Sequence, residues 1–144
     1  MPEKKSTLQK SEYEALAAFR YTIRRFVRFA EEGAREIGLT PQQHQLLLAI
    51  KGQPGKEWAN VSEIAEMLQI KHHAAVMLID RCEKAAWVVR TPSAKDRRQV
   101  EVSLLPAGEE ILAQLSERNL GELSNLRQVL QLDFLKDWKK PETD

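Results

Sequence analysis

Seven bases crowd into residues 71–98: Lys71, Arg81, Lys84, Arg90, Lys95, Arg97 and Arg98, opposed only by Asp80, Glu83 and Asp96. That stretch carries +4, seven bases less three acids, in a chain whose whole charge is +1. From Glu109 onward eight acids outweigh five bases, so a basic centre stands beside a more acidic flank. A local concentration of lysine and arginine is the electrostatic footprint that phosphate binding needs; a merely solvated face gives the same count, and the elements that carry the charges must decide between the two.

Other side chains offer less chemistry. His72 and His73, with His44 as a third ligand, suggest a metal site, but neighbours on a helix point about 100° apart and do not share one ion easily. No metal is expected. Cys82, the one cysteine, can form neither an intrachain disulfide nor a cysteine-cluster zinc site. It reads as a packing group on an apolar helix face, against a redox switch as the alternative. There is no glycine-rich phosphate loop, no nucleophile motif and no His-Glu-x-x-His pair, so neither an enzyme nor a cofactor is expected.

The elements that position these residues follow from periodicity. Residues 12–38 place Leu16, Phe19, Ile23, Phe26, Val27, Ala30, Ala34 and Ile37 at steps of three and four, the period of a long amphipathic helix ended by Gly38. Thr40-Pro41-Gln42-Gln43 then reads as an N-cap, a first-turn proline and a capping-box glutamine, opening a helix with Leu46, Leu47, Leu48 and Ile50 as its apolar run. A loop at Gly52-Gln53-Pro54-Gly55 follows. Asn60-Val61-Ser62-Glu63 caps a short helix with Ile64, Ala65, Leu68 and Ile70 on one face, and a second helix with Ala75, Leu78, Ile79 and Cys82 begins a few residues later. Two short helices joined by a tight turn form a helix-turn-helix, although the turn at Gln69-Ile70-Lys71 lacks the glycine often found there.

Beyond Ala86, Trp87-Val88-Val89-Arg90 and Gln99-Val100-Glu101-Val102-Ser103-Leu104 read as strands of a hairpin whose loop, residues 91–98, has a basic tip. Pro106-Ala107-Gly108 opens a last helical stretch through Ile111, Leu112, Leu115, Leu120, Leu123, Leu126, Val129, Leu130 and Leu132, bent near Gly121. The expected fold is mainly α with a small β-hairpin wing: a winged helix-turn-helix domain over residues 40–105, with dimerisation helices over residues 12–38 and 106–139. The 144 residues, 30% charged and 42% hydrophobic, suit such a domain. No apolar run approaches the ~20 residues of a membrane span, and MPEKKSTLQKSEYE lacks the apolar core of a signal peptide, so no membrane partner and a cytoplasmic location are expected.

Leu78-Ile79-Asp80-Arg81-Cys82-Glu83-Lys84, Trp87-Val88-Val89-Arg90, Pro92-Ser93, Asp96-Arg97-Arg98 and Val100-Glu101-Val102-Ser103-Leu104 together resemble, without gaps, the recognition helix and wing of the MarR (multiple antibiotic resistance regulator) family. The Asp-x-Arg of the wing is that family's most recognisable signature, and a looser similarity covers residues 12–130. The resemblance implies a sequence-specific DNA-binding transcriptional regulator, a repressor that holds a pseudo-palindromic operator in double-stranded DNA as a homodimer and is released by a small aromatic or phenolic effector. The alternative is a winged-helix protein-interaction or architectural DNA-binding module without an effector.

The helix beginning at Lys71 would then enter the major groove. Lys71, His72, His73, Ala74, Val76, Met77, Arg81 and Lys84 face away from its apolar stripe. Lys95, Arg97 and Arg98 would reach DNA from the wing, together with Arg90, and the resemblance gives Asp96 the task of orienting Arg98 by an ion pair. Lys71, Ala74, Val76 and Met77 depart from the hydroxyl residues and arginine that family members carry early in this helix. Ala86 stands where a turn glycine is usual, and Leu105 where a capping threonine is usual. His44 with Phe19, Tyr21, Phe26, Phe29 and Trp58 could line an effector cavity or simply pack a core. Arg20, Arg24 and Arg28, one turn apart, meet an acidic arm across a dimer or lie solvated.

Overall fold

Local side-chain chemistry sets the N-terminal ends of two helices in the computed structural model, which describes residues 7–128, 135, 138–140 and 142. The elements run α1 (Lys10–Glu36), α2 (Pro41–Lys51), α3 (Val61–Leu68), α4 (His72–Lys84), β1 (Val88–Pro92), β2 (Val100–Leu104) and α5 (Pro106–Leu126). At α2 the Thr40 hydroxyl accepts from Gln43 N–H at 3.1 Å and the Gln43 carbonyl oxygen accepts from Thr40 N–H at 2.9 Å. Asn60 and Glu63 make the same reciprocal box at α3, at 2.8 and 3.0 Å. Both boxes are the expected ones, each satisfying two otherwise orphaned amides.

Helix ends reuse one device. After α1, Gly38 takes φ +88° while Leu39 N–H bonds the Ala34 carbonyl at 2.9 Å and Gly38 N–H that of Arg35 at 3.1 Å. The paired bonds recur after α3, around Gln69 at φ 53°, and after α4, around Ala86 at φ 62°. These are Schellman ends, and glycine is the residue that adopts their left-handed position without steric cost. Gln69 compensates by donating its side-chain amide to the Glu66 carbonyl at 2.8 Å and carboxylate at 3.1 Å. This explains how the turn of the helix-turn-helix closes without glycine. Ala86 has no such compensation, so Ala86→Gly is expected to stabilise the protein by about 0.5–1 kcal/mol. A thermal melt unchanged or lowered by the substitution would contradict this.

The chain divides into two compact units, one spanning Ala30–Arg118 and the other the residues outside it. The core lies in the first: Leu46, Leu47 and Ile50 of α2, Ile64 of α3, and Ala75, Leu78, Ile79 and Cys82 of α4 close on Val88 and Val102 of the hairpin and on Leu112 and Leu115 of α5. The apolar stripe expected of α4 is the buried one. In α2 the expectation is corrected: Leu48 is exposed, and His44 takes a buried place. Position 44 lies on the same helical face as Leu47, whereas position 48 projects past it. The antiparallel hairpin pairs Val88 with Leu104 through Pro92 with Val100, so β1 runs two residues further than expected and the loop shortens. Ala59 adds a bridge to Val102, with both N–H···O bonds at 2.9 Å, tying the hairpin to the segment before α3.

In the other unit, Leu16, Tyr21, Ile23 and Val27 of α1 and Leu120 and Leu123 of α5 are exposed. Helix α5 runs through Gly121 as one element, and the expected apolar positions Val129, Leu130 and Leu132 lie outside the described residues. No helix among the described residues is long and apolar enough to cross a membrane.

Candidate nucleic-acid interface

Helix α4 presents its polar side because its apolar side is consumed by the core. Lys71, His72, His73, Met77, Arg81 and Lys84 are exposed, and Ala74 and Val76 are half-buried. Lys71 is the N-cap, and its side chain makes no capping bond. Whereas α2 and α3 close their N-termini with side-chain acceptors, α4 keeps the positive end of its dipole beside a lysine.

The hairpin loop is built by two short side chains. The Ser93 hydroxyl accepts from Lys95 N–H at 3.3 Å and Asp96 N–H at 3.4 Å, and Asp96 Oδ1 accepts from Arg98 N–H at 3.0 Å. Such bonds fold a polar loop without a core. They also correct the expected contact: Asp96 holds Arg98 by its backbone and not by an ion pair with the guanidinium. Lys95, Arg97 and Arg98 are all exposed.

A second correction concerns Arg90. Its backbone N–H donates to Glu83 Oε2 at 3.0 Å, Nη1 to Glu83 Oε1 at 3.1 Å, and Nη2 to Asp80 Oδ1 and, at 3.4 Å, to the Val76 carbonyl. Its side chain is only 24% exposed. Arg90 therefore clasps β1 to α4 and is not available as a free contact. Its partners lie 7, 10 and 14 residues away in sequence, too far for helical or strand spacing to reveal them.

Together these bonds separate the charges of the basic stretch. All three acids point at internal partners: Asp80 and Glu83 at Arg90, Asp96 at the Arg98 amide. Lys71, Arg81, Lys84, Lys95, Arg97 and Arg98 have no ion pair among the described residues. Arg98 and His72 line one groove of about 340 Å³ with Asn60, Val61, Ser62, Gln99 and Val100. Lys71 and His72 border a second beside Ser62, Ala65, Glu66, Gln69 and Ile70. The start of α3, the start of α4 and the end of the wing loop thus converge. Ser62 and Gln99 escaped the sequence reading; an exposed hydroxyl in the first turn of α3 was the available signal for Ser62.

The remaining candidates behave differently. Burial pushes the Cys82 thiol up to about 11, which keeps it protonated at neutral pH, in keeping with a packing group. His44 is buried with its Nε2 unpartnered among the described residues, and burial pulls the imidazole below its ordinary value. Trp58 carries the Lys56 ammonium 3.8 Å above its ring, while Lys56 also pairs with Glu63 at 2.7 Å. Phe19, Phe26 and Phe29 are half-buried and Tyr21 is exposed, all in the unit outside Ala30–Arg118.

Residues 37–99 match the model of the MarR family. The HTH-type transcriptional repressor MdtR of Bacillus subtilis (strain 168) is 36% identical over 86 residues, which cover 57% of this chain and 54%, about half, of that protein's length. Among solved structures, a MarR family protein from Bacillus stearothermophilus superposes with a TM-score of 0.73 at 19% identity, covering 91% of this chain and 89% of the other. A mutant of MepR from S. aureus bound to an oligodeoxyribonucleotide gives a TM-score of 0.60 at 17% identity, covering 89% and 85%. The fold is that of the winged-helix MarR regulators.

Proposed function

Taking the chain as a member of the MarR family, which its residues 37–99 match, we propose that it is a sequence-specific DNA-binding transcriptional regulator that represses by holding a pseudo-palindromic operator as a homodimer. One observation carries the reading. Six cations on α4 and the wing are unpaired among the described residues, while every acid of that stretch is bound internally. A duplex supplies the missing counter-charge along two phosphate rails. In this reading α4 enters the major groove with Lys71, His72, His73, Val76, Met77 and Arg81 toward it, and Lys95, Arg97 and Arg98 follow the backbone into the adjacent minor groove. Asp96 orients Arg98 by fixing its amide, and Arg90 acts one step back.

Residues 12–38 and 106–139 form the dimer arms, since Leu16, Tyr21, Ile23, Val27, Leu120 and Leu123 are apolar and uncovered in a single chain. A two-fold dimer requires half-sites about one helical turn apart. The name of MdtR supports the repressor sign. Release by a small aromatic or phenolic effector belongs to the same reading and rests on the resemblance alone.

The test is duplex affinity across a salt series, with footprinting and sedimentation of the same samples. Arg98→Ala is expected to weaken binding by about 1–3 kcal/mol and to flatten the salt slope by about one phosphate, with the melt unchanged within ~0.5 kcal/mol. Lys139→Ala, an exposed cation outside the basic stretch, serves as control. Equal affinity of wild type and Arg98→Ala removes the wing from DNA reading, and a monomer protecting a site without an inverted repeat removes the dimer.

A further inference from the structure

We infer that α4 recognises thymine, through insertion of Met77 and Val76 against the 5-methyl groups that thymine alone presents in the major groove. This rests on the DNA-binding reading above and names what that helix reads. His73, Met77 and Lys84 fall in one file on the face opposite the core, at i, i+4 and i+11, with Val76 and Arg81 on either side. Met77 is 53% exposed although it is a large apolar residue.

What the first two turns of this face lack matters as much. Bidentate reading of guanine needs arginine or lysine, and that of adenine asparagine or glutamine. The first two turns of α4, His72-His73-Ala74-Ala75-Val76-Met77-Leu78, contain none of these. Reading cytosine needs a carboxylate to accept from its amino group, and both carboxylates of α4, Asp80 and Glu83, are already engaged by Arg90. The central positions are left with two imidazoles, the Ala74 methyl and the larger apolar side chains of Val76 and Met77.

The surroundings select the occupant. Lys71, Arg81, Lys84 and Arg98 carry no ion pair among the described residues, so the aliphatic pair sits inside a frame of free cations. A complementary surface offers small apolar knobs between rows of anions. The major groove of a T-bearing duplex does so: phosphates border it, and the thymine methyl is the apolar group on its floor. An anionic lipid surface shares the charge but requires a broad apolar face, which two side chains on one short helix do not provide.

The experiment uses the full-length protein and the duplex recovered by selection from random-sequence DNA. Each thymidine in one half-site, and then in both, is replaced by deoxyuridine, which deletes the methyl and keeps the base pair. At the positions under Val76 and Met77 affinity is expected to fall about fourfold per methyl, the loss equivalent to one buried methylene, and about fifteenfold when both half-sites are changed. In the Val76→Ala/Met77→Ala double variant, which keeps good helix formers, the same deoxyuridine duplexes are expected to bind as well as the thymidine ones. Uniform tolerance of deoxyuridine, with selective and salt-dependent binding retained, overturns the inference and leaves the DNA-binding reading intact. Sensitivity to deoxyuridine that persists in the double variant also overturns it, assigning the methyl to another side chain or to duplex shape. Failure of the selection to enrich any sequence, or preferential capture on phosphatidylserine vesicles, overturns both readings.

Discussion

Arg90→Ala is expected to lower duplex affinity at least tenfold while lowering the melting temperature by only a few degrees. The stability cost is modest because the clasp is partly solvated: the arginine side chain is 24% exposed, and those of Asp80 and Glu83 are 56% and 41% exposed. Exposed pairs contribute ~0–1 kcal/mol each, so a loss of about 1 kcal/mol, or roughly 4 °C, is the scale for the network. The affinity cost is larger for two reasons. Two carboxylates on α4 lose their counter-ion where phosphate must approach, and like-charge juxtaposition costs several kcal/mol at an interface. The hairpin also loses the fork that fixes its angle to α4, because Nη1 and Nη2 reach Glu83 and Asp80 separately.

Arg90→Lys restores the charge without the fork and should recover affinity only in part. Adding Asp80→Asn and Glu83→Gln to Arg90→Ala should recover affinity if the released carboxylates are the cause. A direct phosphate contact by Arg90 predicts no such recovery. Affinities of these variants across a salt series decide the matter, and an Arg90→Ala protein that binds like wild type removes the clasp from the argument.

The second large effect is expected at Gly108. A Cβ built there lies 2.2 Å from the Trp87 carbonyl oxygen and 3.1 Å from its carbon. That oxygen is held in place, since Leu105 N–H donates to it at 2.8 Å. Because the obstacle is backbone, no rotamer change relieves it, and α5 must move off the turn that ends at Trp87. Overpacking of this kind costs about 1–3 kcal/mol and more where the backbone cannot yield, against about 1 kcal/mol gained from replacing a helical glycine by alanine. Gly108→Ala should therefore lose about 2 kcal/mol or more. Gly121, in the same helix, has nothing among the described residues within 4 Å of its added Cβ, so Gly121→Ala should gain up to ~1 kcal/mol. Opposite shifts of the two melts are the expected outcome; a Gly108→Ala protein as stable as wild type refutes the close approach.

Which features were legible in the residues depends on the range of the interaction. Thr40 with Gln43 and Asn60 with Glu63 close over three residues, so composition and spacing suffice to identify both capping boxes. The stripe Ala75, Leu78, Ile79 and Cys82 is a property of helical geometry and was equally readable. By contrast, the left-handed Gln69 is stabilised by its own side chain in a way its type does not advertise. The Ala59 bridge to Val102 joins residues 43 positions apart. Arg90 counted as one more cation in the charge pattern, and only tertiary packing shows that it cancels two acids. Leu48 lies off the core because five consecutive apolar residues, Leu46 to Ile50, leave the phase of α2 undetermined in the sequence, and a buried histidine does not announce itself.

The two left-handed residues that bracket α4 have a consequence for how readily its specificity can change. Gln69 offsets its backbone shape with its own side-chain bonds to Glu66, but Ala86 holds one that glycine would hold with less strain, so the domain lies below the stability its fold could reach. Proteins tolerate altered residues only while they stay above a folding threshold. Relief of strain at Ala86 would widen that margin by about 0.5–1 kcal/mol, comparable with the ~1 kcal/mol cost of a typical exchange. Neither turn residue lies among the α4 positions proposed to face DNA. The second turn therefore acts as a permissive site: what stands at position 86 governs how many alternatives to Val76 and Met77 the protein can survive, and so, on the proposed DNA-binding reading, how far its descendants can drift toward other operators.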